Sequence, residues 1–214
     1  TYEQLNRYSE AREALDEAIR RGGGPDARVQ TSMGVVSLMS GDLQSALASL
    51  SAARPLFGAK PPTAAWYHYT GLATALVGDS ARAVSTLNEG VTAHPHAAAL
   101  LNNLATALER SGAYDDARAT VERGAQEDPG VPQLHKNMGD LFYRAARYDE
   151  ALESYLRATK VNPTLGGDVY LKLGNIRLRR QERDEAVRCW ERALELDPDN
   201  AIVRTNLESV RQVF

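Results

Sequence analysis

The residues that could do chemistry are few in this 214-residue chain: four histidines and one cysteine, set among 28 acidic and 25 basic side chains. His94 and His96 flank Pro95. Metal ligands on a helix must share a face one turn apart, and a proline at this point blocks that arrangement, so the pair reads as two solvated loop histidines. Gly22-Gly23-Gly24 has the glycine density of a phosphate-binding loop. No Lys-Ser or Lys-Thr follows it, and such a loop needs that lysine and hydroxyl. The serines and Cys189 fall at ordinary helix or turn positions, with no His and Asp placed to activate them. Cys189, next to Trp190, reads as a partly buried, inert thiol. No catalytic residue, cofactor or metal ligand is expected, and the chain is read as non-enzymatic. What remains is the chemistry of a surface.

Bulk composition narrows what that surface meets. The net charge is −3, with 25% charged and 43% apolar residues, so nothing draws the chain to nucleic acid or to an anionic membrane. No apolar run approaches the roughly 20 residues of a membrane helix, and direct insertion is not expected. Residues 1–20 are polar and helical in pattern, unlike a signal peptide. The single cysteine permits no internal disulfide and fits a reducing compartment. Heavy use of Arg and Ala reads as GC-rich codon usage of a bacterial kind.

The elements that carry this surface announce themselves by repetition. Gly34, Gly71, Ala105, Gly139 and Gly174 follow one another at spacings of 37, 34, 34 and 35. Twelve residues after each stands an alanine: Ala46, Ala83, Ala117, Ala151 and Ala186. Seven further on comes Ala53, Gly90, Gly124, Ala158 or Ala193, and four copies then place a proline: Pro95, Pro129, Pro163 and Pro198. Two antiparallel helices of about a dozen residues demand small residues where their backbones cross, with large side chains beside them. Proline ends the second helix, because the residue before it is pushed out of the α region. Gly41, Gly78 and Gly112 mark the turn inside a pair, and Ala146 and Gln181 are the poorer matches there.

The stretch from Pro132 to Pro163 is the clearest copy, with Gly139, Ala151 and Ala158 as small residues and Phe142, Tyr148 and Tyr155 as large ones. It resembles the tetratricopeptide repeat, a helix–turn–helix unit with a period of about 34 residues. The resemblance implies an all-α fold, a right-handed α-solenoid of stacked helix–turn–helix repeats. Full repeats are expected at 27–60, 64–97, 98–131, 132–165 and 167–200 within a single domain covering 1–214. Residues 1–24 hold a partial repeat: Tyr8, Ala11, Leu15 and Ala18 match a second helix, Tyr2 and Leu5 the end of a first helix. The chain thus begins inside a repeat, and further repeats or another domain are expected upstream. Residues 201–214 read as a capping helix with Val203, Leu207, Val210 and Phe214 on one stripe. The extra residues within 54–63 and the glycines at 22–24 read as inter-repeat loops.

In the family the first helices line a concave, partner-binding groove. Counting the small residue as the eighth position, the resemblance places Val35, Leu38 and Met39 there, then His68, Leu72 and Leu76. Asn102, Thr106 and Arg110 follow, then Lys136, Asp140, Tyr143 and Arg144, and finally Leu171, Asn175, Leu178 and Arg179. The groove would be apolar at its N-terminal end and charge-rich at its C-terminal end. Asn103 and Asn137 share one register, repeated by Asn206 and interrupted by Ser32, Tyr69 and Lys172. It resembles the asparagine ladder in the tetratricopeptide domain of O-linked N-acetylglucosamine transferase, where amides hold a peptide backbone. The clamp for chaperone C-terminal carboxylates is not expected, because Asp140 stands four residues after Lys136 and would repel a carboxylate. The cluster Arg177, Arg179, Arg180 and Arg183 is diluted by Glu182, Asp184 and Glu185 and reads as a solvated helix end. The expected function is a non-catalytic protein–protein interaction scaffold that binds a peptide or helix of another protein. Its alternatives are the recruiting arm of a larger enzyme such as a transferase, and a module that self-associates weakly.

Overall fold

The computed structural model describes residues 2–22 and 26–211, with side chains for 7–22 and 26–210. Phe214, the loop glycines Gly23 and Gly24, and the side chains of Tyr2 and Leu5 lie outside the described residues. Twelve α-helices and one short 3-10 turn make up the described secondary structure: α1 (Tyr2–Arg21), α2 (Ala27–Met39), α3 (Leu43–Ala53), α4 (Ala64–Leu76), α5 (Ser80–Ala93), α6 (Ala98–Arg110), α7 (Tyr114–Glu127), α8 (Pro132–Arg144), α9 (Tyr148–Val161), α10 (Gly167–Arg179), α11 (Arg183–Leu196) and α12 (Ala201–Arg211). The 3-10 turn, Arg54–Phe57, occupies the first of the inter-repeat loops and closes on Gly58 at φ +63°. One expectation needs correcting: α1 is a single helix, with no break between Leu5 and Tyr8 to end one helix and begin another.

The helices form two compact units, residues 1–120 and 121–214, divided within α7 between Thr120 and Val121. In unit 1, α2 pairs with α3 and α4 with α5, while α6 packs on both α4 and α5. In unit 2, α8 pairs with α9 and α10 with α11, and α12 closes against α11. The crossing points fall on the small residues. A Cβ built on Gly34 would stand 2.5 Å from Leu50 Cγ, and one on Gly71 2.5 Å from Leu87 Cγ. A Cβ on Gly139 would stand 2.5 Å from the Tyr155 ring, and Gly174 lies equally close under Trp190. The large partner is always sixteen residues on, and Leu50, Leu87, Tyr155 and Trp190 are all fully buried. Phe142, Leu152, Tyr155, Val169, Leu173 and Ile176 form one core of unit 2, and Trp190, Val203 and Leu207 belong to a second.

The turn inside each pair is the same five times over. Gly41, Gly78 and Gly112 take φ of +86°, +89° and +85°, and Ala146 and Gln181 take +57° and +64° at the corresponding places. In each, the next residue's N–H reaches back five residues to a helix carbonyl: Asp42 to Ser37 at 2.9 Å, Arg147 to Phe142 at 2.9 Å, Glu182 to Arg177 at 2.9 Å. The two weakest sequence matches therefore adopt the glycine conformation without glycine, and a Cβ there costs about 1 kcal/mol. Ala146→Gly and Gln181→Gly should each raise stability by about 0.5 kcal/mol, the strain relieved being partly offset by the freer unfolded chain. A rise in urea midpoint for both is the expected reading; a fall in both contradicts the strain.

Candidate interaction faces

Within unit 1, helices α2, α4 and α6 present the face to which the resemblance assigns partner binding. Val35 and Leu72 are half-buried, while Met39 and Leu76 are 46% and 50% exposed. Leu38 corrects the expectation: at 7% exposure it belongs to the core. Helix α2 packs against α1, α3, α4 and the 3-10 turn, and Leu38 is enclosed while the next residue, Met39, stays open. Next to the apolar residues lies a small cleft of about 50 Å³ lined by Leu72, Ala75, Asn103, Thr106 and Arg110. Asn103 is already engaged, since its Nδ2 donates to His68 Nδ1 at 3.0 Å. An amide nitrogen only donates, so Nδ1 holds a lone pair and the imidazole is neutral. Burial lowers the His68 pKa, in keeping with the neutral ring. Thr106 Oγ1 turns back onto the Asn102 carbonyl at 3.0 Å.

Within unit 2 the corresponding face is polar, and its charges are largely spent on one another. Asp140 sits at the centre with its side chain 16% exposed. One carboxylate oxygen accepts from Tyr155 Oη at 2.7 Å and from Lys172 Nζ, and the other accepts from Lys136 Nζ at 2.9 Å. Lys136 also meets Asp168 at 3.0 Å. Two lysines face two aspartates, so the group is neutral. Burial alone would raise the Asp140 pKa; the hydrogen bonds from Lys172 and Tyr155 and the two ammonium charges outweigh it and leave the pKa lowered. Lys136 shows the mirror image, with burial lowering its pKa and the two aspartates raising it further. The Tyr155 phenol is pushed up by burial and by the Asp140 charge. Lys136 and Asp140, expected as open groove charges, are thus partners in an internal network. Lys172 and Tyr155 complete it, although the sequence offered the first only as an interruption of an asparagine register and the second only as a packing residue.

A second polar chain runs across α8, α10 and α12. Asn206 Nδ2 and Trp190 Nε1 both donate to Asn175 Oδ1 at 3.2 Å, and Asn175 Nδ2 points at Tyr143 Oη at 3.5 Å. Tyr143 packs edge-to-face on Tyr148, with ring centroids 5.5 Å apart, and the Arg179 guanidinium lies 4.6 Å over the Tyr148 ring. Leu171 is half-buried, Leu178 is 40% exposed, and Asn137 and Arg144 are half-buried and exposed. The other arginines at this helix end are tied down. Arg177 pairs with Glu182, Arg180 bridges Asp149 at 3.2 Å and Glu182 at 2.8 Å, and Arg183 reaches the Val210 carbonyl at 3.3 Å. Among the described residues no set of three His, Cys, Asp or Glu side chains is arranged for a metal ion, and no helix is long and apolar enough to cross a membrane.

Known proteins match this arrangement in sequence pattern and in fold. Residues 1–62 and 77–132 match one family profile described as Tetratricopeptide repeat, and residues 132–165 and 167–200 match another of the same description. A chain of the APC/C hetero-tetramer Cut9-Hcn1 superposes with a TM-score of 0.82 at 15% identity, covering 96% of this chain and 40% of that one. The chain therefore spans about two-fifths of that relative. YrrB, described as a TPR protein with an unusual peptide-binding site, gives a TM-score of 0.65 at 19% identity over 92% of this chain and all of that one. MamA from Desulfovibrio magneticus RS-1, residues 41 to its end, gives 0.66 at 17% identity over 83% and 98%. At these identities the shared property is the fold, an all-α solenoid of stacked helix pairs. No sequence match was found among curated proteins.

Proposed function

Since the chain belongs to the tetratricopeptide repeat family, we propose that it is a protein-interaction module that takes an extended or helical segment of another protein on the faces of its first helices. The observation that carries this reading is the exposure of Met39 and Leu76 on α2 and α4, at 46% and 50%, beside the half-buried Val35 and Leu72. Apolar side chains left open on two first helices that pack together mark a surface that gains by being covered. A peptide-binding site is named for YrrB, whose fold this chain shares. In unit 2 Leu178 supplies an apolar contact and Tyr143 and Arg179 supply polar ones.

Met39→Asp with Leu76→Asp separates binding from folding, because both side chains are already half in water. Leu38→Asp would instead bury a carboxylate. The double variant should melt like the wild type and recover a partner protein from host extract about tenfold less efficiently, as for loss of apolar anchors worth about 1.4 kcal/mol or more. Leu178→Asp is the counterpart in unit 2. Recovery unchanged by both, with folding intact, would sink the proposal. Light scattering across a concentration series separates a foreign partner from a second copy of the chain.

A further inference from the structure

We propose that Arg179 is the receptor for an acidic side chain of the bound segment, next to an apolar residue that covers Leu178; this rests on the reading that the first-helix face of unit 2 takes a peptide. Charge is what singles out Arg179. Lys136 and Lys172 are neutralised by Asp140 and Asp168, and Arg177 and Arg180 by Glu182 and Asp149. Among the described residues no carboxylate lies within ion-pair reach of Arg179; its partner is a ring, the face of Tyr148 at 4.6 Å.

A guanidinium stacked on a ring keeps its N–H fork free in its own plane, and that fork matches a carboxylate with two parallel hydrogen bonds. The stacking also removes rotamers in advance, so less freedom is lost when a ligand arrives. The support beneath is tight. Tyr148 is braced edge-on by Tyr143 at 5.5 Å, Tyr143 is met by Asn175, and Asn175 is fixed by Trp190 and Asn206. The donors at this end, the Arg179 fork and the Tyr143 hydroxyl, call for acceptors, and Leu178 beside them calls for an apolar neighbour. Carboxylate and apolar side chain on adjacent residues of one extended segment meet both demands.

A random dodecapeptide library displayed on phage, panned in parallel against the wild type and Arg179→Gln, tests the assignment. Wild-type selections should be enriched in Asp or Glu next to an apolar residue. Selections on Arg179→Gln should keep the apolar residue and lose the acid. A synthetic peptide from the wild-type pool should bind the variant about tenfold more weakly, and its Glu→Gln form should bind both proteins alike. A shared motif without an acid, or an acid retained on Arg179→Gln, overturns the assignment and leaves the face standing as a peptide site. No enrichment on either protein overturns both. Matching circular dichroism and melting of the two proteins shows that the difference is not one of folding.

Discussion

Alanine at Gly139 lowers the stability of unit 2 by about 2 kcal/mol, and alanine at Gly174 by at least as much, the cost expected of overpacking a filled core. Helix propensity alone predicts the opposite sign, since Gly→Ala inside a helix gains about 1 kcal/mol. Contact distance decides between them. The new Cβ would sit 2.5 Å from Tyr155 Cε1 and 2.6 Å from Cδ1, closer than real side chains come. The ring cannot swing aside cheaply, because Tyr155 Oη is held by Asp140 at 2.7 Å and the ring is fully buried. Trp190 over Gly174 is held likewise, its Nε1 bonded to Leu171 O at 3.3 Å and Asn175 Oδ1 at 3.2 Å. The sequence holds its own control. The pair with alanine in place of glycine, Ala105, has valine sixteen residues on, smaller than the Leu, Tyr or Trp at that spacing elsewhere. Urea unfolding read by tryptophan fluorescence in a Trp66→Phe background reports Trp190; a midpoint raised in either variant would show that propensity wins.

Removing Asp140 should cost still more. Asp140→Ala strands the Lys172 ammonium and the Tyr155 hydroxyl around a void and leaves Lys136 with Asp168 alone, and breaking such a partly buried pair costs about 3 kcal/mol. Asp140→Asn keeps an acceptor for Tyr155 and should lose less. The pH dependence carries the sign. A carboxyl whose folded pKa lies below its unfolded value near 3.8 stabilises at every pH above that value, and its contribution vanishes as pH falls through the folded pKa. Lys136 is shifted the other way, so its contribution is complete below about 10.5 and fades as pH rises through its folded value. Between those limits Asp140 and Lys136 both carry their charges. The stability gap between wild type and Asp140→Asn should therefore be flat at neutral pH and close in strong acid. A gap that persists unchanged below pH 3.8, or no gap at neutral pH, would show that Asp140 is a solvated surface acid.

Much of the fold was legible because close helix crossings leave a permanent mark in side-chain size. Gly34, Gly71, Gly139 and Gly174, with Tyr155, are where the pattern pointed, and Leu50, Leu87 and Trp190 turn out to hold the same place as Tyr155 in their own pairs. The turns were legible by spacing at all five places, but only glycine announced the backbone conformation. Positive φ belongs to a place in the chain, and Ala146 and Gln181 show that another residue can be forced into it. The unbroken α1 escaped for a related reason, since an apolar stripe gives the period of a helix and says nothing of where it stops. The faces were readable as positions and misread as chemistry. Lys136 and Asp140 are one helical turn apart and suggested repulsion of a ligand, yet Lys172, thirty-two residues beyond Asp140, decides their state. Leu38 has the position of a groove residue and the burial of a core one, because burial depends on neighbours that its own repeat does not contain.

The bonds from one first helix to the next have a consequence for the order of the copies. His68 to Asn103, Asp140 to Lys172, Tyr143 to Asn175 and Asn175 to Asn206 each span 31 to 35 residues, about one period, yet no two use the same pair of groups at the same register. Packing at the crossings is nearly generic, a small residue under a large one, and would let any copy follow any other. The polar links are lock and key, and they refuse that freedom. Exchange the copies carrying α8 and α10, and Asp140 faces a helix with no lysine at the matching place, while Asn175 loses Tyr143. Sequence has thus written two instructions on the same helices: one says how to stack, in an alphabet of volumes, and the other says in what order, in an alphabet of donors and acceptors.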